Sequence, residues 1–206
     1  MATDATSEPG RADRAANGIL ANLTWSAPEG TLAFRGVRYL LIRPETLAGM
    51  LLAFEDEAGA AAAARALYEG GFTGGRLSGR RYKDEFGLDD AGAAAFMCRM
   101  GAEIGWGRFR LIDLDSEAGR MTVEVDASPF AAAYRSLAGA PGVTAPAGGR
   151  CHLLRGVLGG LGNGLFEAAV EARETKCVAA GDDVCRFVVV AGGGPATGPG
   201  LGDEGS

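Results

Sequence analysis

Near its C-terminal end, the 206-residue chain gathers three of its four cysteines around one glutamate. Cys151, Cys177 and Cys185 can each supply a thiolate, and Glu174 can supply a carboxylate. Three thiolates and a carboxylate suit a closed, tetrahedral Zn²⁺ site of the structural type. The sequence therefore predicts a metal site made of these four residues, with Zn²⁺ as the cofactor.

One helix and one hairpin must position the predicted ligands. Cys151 opens an apolar stretch typical of a helix, and the N-terminus of a helix favours a thiolate. Cys177 and Cys185 flank a turn at residues 181–183, so the two strands of a hairpin would present them to one point. Glu174 precedes Cys177 by three residues, and a bend at the end of the strand can turn both side chains to the same side.

The charge of such a site needs compensation. One dication with four anionic ligands has a net charge of about −2, which is costly to bury. Arg150, Lys176 and Arg186 adjoin three of the ligands in the sequence and could offset that charge. The fourth cysteine, Cys98, lies in an apolar helical stretch and is expected to be a small core residue.

Other interpretations of the cysteine cluster stay open. His152 is the alternative fourth ligand, but its adjacency to Cys151 on a helix turns the two side chains about 100° apart, so Glu174 is preferred. The cysteines could also be buried without a metal, or Cys177 and Cys185 could form a disulfide, which is rare in the cytosol. A catalytic cysteine is disfavoured because the chain has a single histidine and no evident third group.

The overall composition argues against several classes of protein. The net charge of −6 and the pI near 4.9 argue against nucleic-acid binding, which depends on cations that meet phosphates. No apolar run approaches the roughly 20 residues that a membrane span requires. The polar N-terminus lacks the basic-then-apolar order of a signal peptide, so we expect a cytoplasmic protein with no membrane span and no nucleic-acid partner.

The chain is expected to divide into one domain and two tails. Residues 1–30 are rich in small and polar residues and predict a mobile N-terminal tail. Residues 31–191 are predicted to form a single ligand-binding domain, since hydrophobic residues make up 47% of the chain and can build one core. Residues 192–206 are rich in glycine and proline and predict a disordered C-terminal tail.

The first half of the domain is predicted to contain short strands followed by helices. Apolar residues between Thr31 and Ile42 predict two short strands or one bulged strand. Pro44 suits the first turn of a helix, and a second helix is predicted from Glu57 to Tyr68.

A glycine stripe follows the second predicted helix. Gly71, Gly75 and Gly79 stand four residues apart, so on a helix they would line one face and allow close approach of another backbone. A glycine-rich loop is the alternative. Asp89 or Asp90 is then expected to cap the next helix.

The second half of the domain is predicted to hold a sheet and two helices. Residues 106–125 predict a hairpin, and residues 130–137 predict a short helix. A long helix is expected from Cys151, followed by strands over residues 169–175 and 185–190.

Several of these features together resemble the 4-vinyl reductase domain family. That family includes the sensor domains of phenol- and xylene-responsive activators and a bacteriochlorophyll-synthesis accessory protein, and it is similar in fold to Bet3-like tethering subunits. The resemblance implies an α+β fold, with an antiparallel sheet packed with helices around an apolar pocket, and it implies a homodimer. The features that carry it are Cys151, the glycine-dotted helix from Gly156 to Gly162, Glu174-x-x-Cys177, Gly181-Asp182 and Cys185-Arg186-Phe187.

The resemblance also implies site residues. In the phenol-sensing members, a Cys, Glu, Cys and Cys motif holds Zn²⁺, which corresponds here to Cys151, Glu174, Cys177 and Cys185. Those sensors hold the ligand hydroxyl with a His and a Trp, but the comparable region here has no His, so a phenol-type ligand is not expected. The elements that would line the pocket carry Phe96, Met100, Trp106, Phe109, Val123, Phe130 and Tyr134.

Three functions compete on this basis. We prefer a stand-alone, zinc-stabilised sensory domain for a hydrophobic small molecule, since the predicted metal site has no open coordination position. The alternative is an accessory factor or a 4-vinyl reductase in (bacterio)chlorophyll or tetrapyrrole synthesis, although no glycine-rich nucleotide loop follows a predicted strand. A Bet3-like protein-interaction scaffold is the third. A binding domain is thus expected in preference to an enzyme.

Overall fold

The computed structural model describes residues 18–139 and 149–192, which form five α-helices and two antiparallel sheets. The predicted α+β class is confirmed. The helices α1 to α5 are Pro44–Ala58, Ala60–Asp84, Asp90–Glu103, Pro129–Ala138 and His152–Phe166. The strands β1 to β7 are Thr24–Ser26, Thr31–Phe34, Val37–Tyr39, Arg108–Asp115, Arg120–Asp126, Val170–Lys176 and Cys185–Ala191.

The larger sheet has the strand order β4-β5-β7-β6. The predicted hairpin of β4 and β5 is confirmed, and β7 pairs with both β5 and β6. Alternate side chains of β5 enter the core: Met121, Val123 and Val125 are at most 1% exposed. A register shift in β6 falls between Glu174 and Lys176, so the strand bends where its carboxylate side chain turns toward the end of the sheet.

The pair of helices α2 and α5 forms the closest contact between elements. A Cβ atom at Gly75 would lie 2.0 Å from the carbonyl oxygen of Val157, and one at Gly160 would lie 2.0 Å from that of Phe72. The two backbones therefore touch directly, which only glycine permits. The helical interpretation of the glycine stripe is confirmed and the loop alternative is wrong, since α2 continues through these glycines to Asp84.

Helix boundaries follow local signals that the sequence carries. Pro44 occupies the first turn of α1 as predicted. The carboxylate of Asp89 accepts a hydrogen bond from the backbone N–H of Gly92 and caps α3. The hydroxyl of Ser128 likewise accepts from the N–H of Ala131 and caps α4.

The segment before Thr31 contributes to the fold. A short 3₁₀ helix spans Leu20–Asn22, and β1 pairs with β2 in the smaller sheet, whose order is β1-β2-β3. Ile19 is 2% exposed and belongs to the core. The predicted start of the domain at residue 31 stays a prediction, although the pairing of β1 with β2 joins residues on both sides of it. Residues 1–17 and 193–206, where most of the two expected tails fall, lie outside the described residues.

The described helices include none that is both long and apolar enough to cross a membrane. Helix α2 is the longest, yet its sequence contains three arginines, a lysine and several glycines between Tyr68 and Asp84. The helix instead spans the domain, from the end of α1 to the segment before Asp89, the cap of α3.

Candidate metal centre and ligand cavity

The four predicted metal ligands come together at one end of the larger sheet. One ligand atom from each of Cys151, Glu174, Cys177 and Cys185 lies within 4.8 Å of all the others. Cys151 is the N-cap of α5, Glu174 lies in β6, Cys177 follows β6 and Cys185 opens β7. The three cysteines are at most 2% exposed. We call these four residues the Cys3Glu cluster.

Backbone N–H groups point at the atoms of the Cys3Glu cluster. The N–H of Arg150 donates to the Cys177 sulfur at 3.4 Å, and the N–H of Val178 donates to the Cys185 sulfur at 3.4 Å. The N–H of Cys151 donates to Oε2 of Glu174 at 3.0 Å. Such donors stabilise thiolates and carboxylates and fix the direction of their lone pairs, as the outer shell of a metal site does.

The domain also contains an apolar cavity, which is partly open. Its volume is about 560 Å³, and it is lined by the smaller sheet, by α2 and α3, and by the segments next to them. Its wall is formed mainly by aliphatic and aromatic side chains, with few polar groups. Examples are Leu32 and Phe34 from β2, Met97 from α3 and the following Ile104 from its C-cap, and Val157 from α5.

The second half of the domain matches a known family. The sequence model of the 4-vinyl reductase domain matches residues 121–191, which include all four residues of the Cys3Glu cluster. Residues 121–191 are therefore similar to this family, and the match does not extend to the first half of the chain. The resemblance expected from the cysteine and glycine motifs is thereby confirmed. A search among curated proteins finds no match.

Solved structures are similar in fold to this domain. The phenol-responsive sensory domain of the transcription activator PoxR, solved with phenol, has a TM-score of 0.73 and 20% identity, and the match covers 92% of each chain. A trafficking protein particle complex subunit 3 from Naegleria fowleri, covalently bound to palmitic acid, has a TM-score of 0.50 and 16% identity over 72% of this chain and 95% of that one.

A vinyl-4-reductase family protein from Methanocaldococcus jannaschii is also similar, with a TM-score of 0.47 and 15% identity over 75% of this chain and 84% of that one. At these identities, the likeness of the domain to the PoxR and trafficking structures describes the fold alone. The function has to be argued from the site.

One distance within the Cys3Glu cluster can be compared with the geometry of a zinc site. In a tetrahedral site with Zn–S distances of about 2.3 Å, neighbouring sulfurs stand about 3.8 Å apart. The Cys151 and Cys185 sulfurs are 3.7 Å apart. Oε1 of Glu174 is buried and has no hydrogen-bond partner among the described residues. A buried carboxylate oxygen without a donor is costly, and a cation would satisfy it. The residues therefore fit a zinc ion.

The electrostatics of the cluster also favour a cation. Burial, followed by the neighbouring Cys177 sulfur, raises the pKa of Glu174 to about 8. Hydrogen bonds from Cys151 and Cys185 lower the pKa of the Cys177 thiol. The hydrogen bond with Cys177 raises the pKa of Cys151 well above its ordinary value. Ionisation of Cys177 therefore disfavours ionisation of Glu174 and Cys151, and four anionic ligands would need a cation among them.

The structure also shows the state of the candidate disulfide cysteines and of His152, which were the alternatives to the predicted ligand set. All four cysteines are free thiols, so the Cys177–Cys185 disulfide is not formed. His152 is not among the gathered ligand atoms. It is buried, its Nε2 has no hydrogen-bond partner in the described part of the chain, and burial lowers its pKa to about 4. His152 is therefore a neutral core residue, while Cys98 is buried on α3 as expected.

The three cations next to the ligands in sequence form ion pairs elsewhere. Arg150 pairs with Glu55 at 3.3 Å, and both side chains are largely buried. Lys176 pairs with Asp183, and Arg186 pairs with Glu124. These cations are thus paired with carboxylates outside the cluster. At the ligand atoms, backbone N–H groups take the charge-compensating role that was expected of the cations.

Three of the seven residues predicted for the pocket lie on the cavity wall. Met100, Trp106 and Phe130 line it. The rings of Trp106 and Phe130 meet edge to face at 5.3 Å, so each fixes the other. Met100 lies near the end of α3, Trp106 lies just before β4, and Phe130 lies in the first turn of α4. These positions bring the three side chains to one side of the cavity.

The other four predicted residues lie on the expected elements but turn away from the cavity. Phe96 packs edge-on against Tyr82, with ring centres 4.8 Å apart. Phe109 and Val123 pack in the core, and Val123 is 1% exposed. Tyr134 belongs to a separate core cluster between α1 and α4. For these four residues the prediction of cavity lining therefore differs from the structure. Sequence periodicity indicates which face of an element is buried, but it does not indicate whether that face packs against other side chains or lines a cavity.

Sequence reasoning missed the polar residues of the cavity. Tyr39, Ser78 and Tyr82 all line it. Ser78 and Tyr82 follow Gly74 at intervals of four on α2, so the three form a second stripe beside the glycines that contact α5. That spacing is a signal which the sequence contained. Tyr39 carried no comparable signal, since β3 is only three residues long.

The glycine-dotted helix of the domain is a packing element. Gly156 and Gly160 lie inside α5, and a Cβ on either would meet the backbone of α2 within 2.1 Å. A nucleotide-binding loop needs glycines between a strand and a helix, with backbone N–H groups open to phosphate. These glycines are therefore committed to the contact between α2 and α5.

Proposed function

We propose that this domain binds an uncharged hydrophobic small molecule in the apolar cavity and acts as a sensory or carrier module. The observation that supports this most is the cavity itself. Its volume of about 560 Å³ falls in the range of small-molecule sites, which are mostly apolar with a few placed polar groups. The PoxR domain of the same fold binds phenol, which adds support for a small-molecule ligand.

Gly74 offers a direct test of the cavity. It lines the cavity, and a Cβ added there would meet nothing within 4 Å, so Gly74→Leu would place a side chain in the open space. Gly70 lies one turn earlier on α2 and is equally open, but it does not belong to the cavity wall described here. Gly70→Leu is therefore the matched control.

N-phenyl-1-naphthylamine, a neutral dye that fluoresces in apolar sites, serves as the probe. We expect saturable binding of one dye per chain for the wild-type protein and for Gly70→Leu, and strongly weakened binding for Gly74→Leu. Equal binding by all three proteins would place the dye outside the cavity and contradict the proposal. Native mass spectrometry of protein from its own host would then identify the natural ligand. A bound tetrapyrrole would favour the accessory role in tetrapyrrole synthesis.

We further propose that the Cys3Glu cluster holds one structural Zn²⁺. When bound, the ion would neutralise the ligands and join the start of α5 to the β6–β7 hairpin. A complete set of four protein ligands supports a structural role in preference to a catalytic one, which would keep a position open for water. The sulfur-rich donor set favours zinc over magnesium or calcium.

Metal analysis of two cysteine variants tests this site. The wild-type protein and Cys98→Ala should each contain about one zinc per chain, because Cys98 is buried on α3 and is not in the cluster. Cys177→Ala should lose most of the zinc. A wild-type protein purified without added metal that contains neither zinc nor iron would contradict the proposal.

A further inference from the structure

The polar groups of the apolar cavity are concentrated at one point. Apart from Glu103 and the indole of Trp106, the polar side chains on its wall are the hydroxyls of Tyr39, Ser78 and Tyr82. Tyr39 comes from β3, whereas Ser78 and Tyr82 come from one face of α2. Two separate elements therefore bring hydroxyl groups to the same part of an otherwise apolar space.

Both tyrosine hydroxyls meet the same sulfur atom. The hydroxyl of Tyr82 donates to Sδ of Met100 at 3.1 Å, and that of Tyr39 donates to it at 3.6 Å. Tyr82 also lies 3.9 Å from Sδ of Met97. The ring of Tyr82 is held by Phe86 and Phe96, with ring centres 5.7 and 4.8 Å away, so its hydroxyl cannot easily turn elsewhere.

A thioether sulfur is a weak acceptor for a phenol O–H. The Tyr82 oxygen accepts from the Ser78 hydroxyl, but its own O–H is directed at sulfur. Buried O–H groups normally donate to an oxygen or nitrogen, because leaving a donor poorly satisfied costs free energy. Burial also raises the pKa of both Tyr39 and Tyr82, so the two groups keep their protons and remain donors at neutral pH. The cavity thus presents two converging donors whose sulfur partner is readily replaced by an oxygen.

The charge of the cavity wall limits what can bind there. Glu103 is the one ionisable acid on the described wall, which contains no lysine, arginine or histidine. Its carboxylate accepts a hydrogen bond from the backbone N–H of Ile19 at 2.5 Å. The Arg81 charge acts on Tyr39 and Tyr82 from outside the wall, so an anionic ligand would be desolvated with no cation in direct contact, which is unfavourable. A neutral ligand carries no such cost.

We infer that the cavity selects an uncharged carbonyl compound with an apolar body, whose oxygen accepts hydrogen bonds from Tyr39 and Tyr82. A carbonyl oxygen has two lone pairs and no proton, which matches two converging donors. This inference rests on the proposed function, since it names the ligand class of the same cavity. It assigns Tyr39 and Tyr82 as specificity-determining residues and leaves the apolar wall to supply most of the affinity.

Three probes of nearly equal shape separate the contributions. They are 4-acetylbiphenyl, which has a carbonyl; 4-isopropenylbiphenyl, which has a carbon in place of that oxygen; and biphenyl-4-carboxylate, which is an anion. Two hydrogen bonds of ordinary strength correspond to roughly a tenfold difference in Kd. We expect the ketone to bind about tenfold more tightly than the alkene and the carboxylate to bind most weakly, as measured by isothermal titration calorimetry.

The double variant Tyr39→Phe/Tyr82→Phe removes only the two hydroxyls and should bind ketone and alkene equally. Tyr68→Phe, a change at a tyrosine outside the cavity wall, should keep the tenfold preference. If ketone and alkene bind equally to the wild-type protein, the inference is overturned while cavity binding stands. Tightest binding of the carboxylate also overturns it. If none of the probes binds, the proposed function itself fails.

Discussion

Substituting Gly75 by alanine should remove a large part of the protein's stability, although the change adds a single methyl group. The new Cβ would lie 2.0 Å from the carbonyl oxygen of Val157 and 2.8 Å from its carbonyl carbon. A carbon and a carbonyl oxygen normally stay about 3.3 Å apart or more, so the two helices must separate locally by more than about 1 Å. The obstacle is backbone and cannot rotate away.

The size of the effect follows from two opposing contributions. Overpacking costs about 1 to 3 kcal/mol and sometimes more, and the upper end applies because Gly71, Gly156 and Gly160 depend on the same close approach. Alanine regains about 1 kcal/mol of helix propensity. We expect a net loss of about 2 kcal/mol, against a typical total of about 5 to 15 kcal/mol.

The same helix provides graded controls for this substitution. Gly70→Ala meets nothing within 4 Å and should stabilise the protein by up to about 1 kcal/mol. Gly79→Ala would place its Cβ 3.1 Å from the carbonyl oxygen of Leu161, so it should fall between the other two. Urea unfolding followed by circular dichroism gives the free energies. Equal stability of Gly70→Ala and Gly75→Ala would refute the direct contact between the α2 and α5 backbones.

Three further outcomes are expected. Removing metal with a chelator should lower the melting temperature of the wild-type protein and of Cys98→Ala, because metal affinity adds to folding free energy. The melting temperature of Cys177→Ala should not change. An unchanged wild-type melting temperature would count against a structural ion. Burial raises the pKa of Tyr82, so the contribution of this residue to the unfolding free energy should be constant below about pH 10, where an unfolded phenol keeps its proton, and should fall as the pH rises further. Tyr82→Phe should show a shallower fall in alkaline urea titrations, and an identical slope would contradict the assignment. The homodimer expected from the resemblance should give twice the monomer mass in light scattering at micromolar concentration; a monomer mass would contradict it.

Local sequence signals predicted much of the fold because their causes are local. Pro44 at the start of α1 and Asp89 at the cap of α3 act through their own backbone neighbourhoods. The glycine stripe predicted a close helix contact, but its partner could not be read from the stripe. Helix α2 continues past Tyr68 because contact with α5 offsets the poor helix propensity of glycine, which is a tertiary effect.

The site was predictable to different degrees for a related reason. Cysteines and a glutamate have few uses in combination, so residue type alone selected Cys151, Glu174, Cys177 and Cys185 as a group. The cavity depends on which side of an element faces open space. Phe96 and Met100 lie four residues apart on α3, yet Met100 lines the cavity and Phe96 packs against Tyr82 beside it. Such a distinction requires the positions of the neighbouring elements.

Helix α5 connects the Cys3Glu cluster to the cavity through rigid contacts. Its N-cap is Cys151, its next turns bring Val157 to the cavity wall, and Gly156 and Gly160 press against α2. Helix α2 in turn carries Tyr82 into the cavity. Because the two backbones touch without intervening side chains, a displacement of α5 cannot be absorbed by rotamer changes and must move α2 as well. A metal bound at the Cys3Glu cluster would fix the start of α5 and, through α2, the hydroxyl of Tyr82. In the function proposed above, a site with no open coordination position would serve ligand binding in this way.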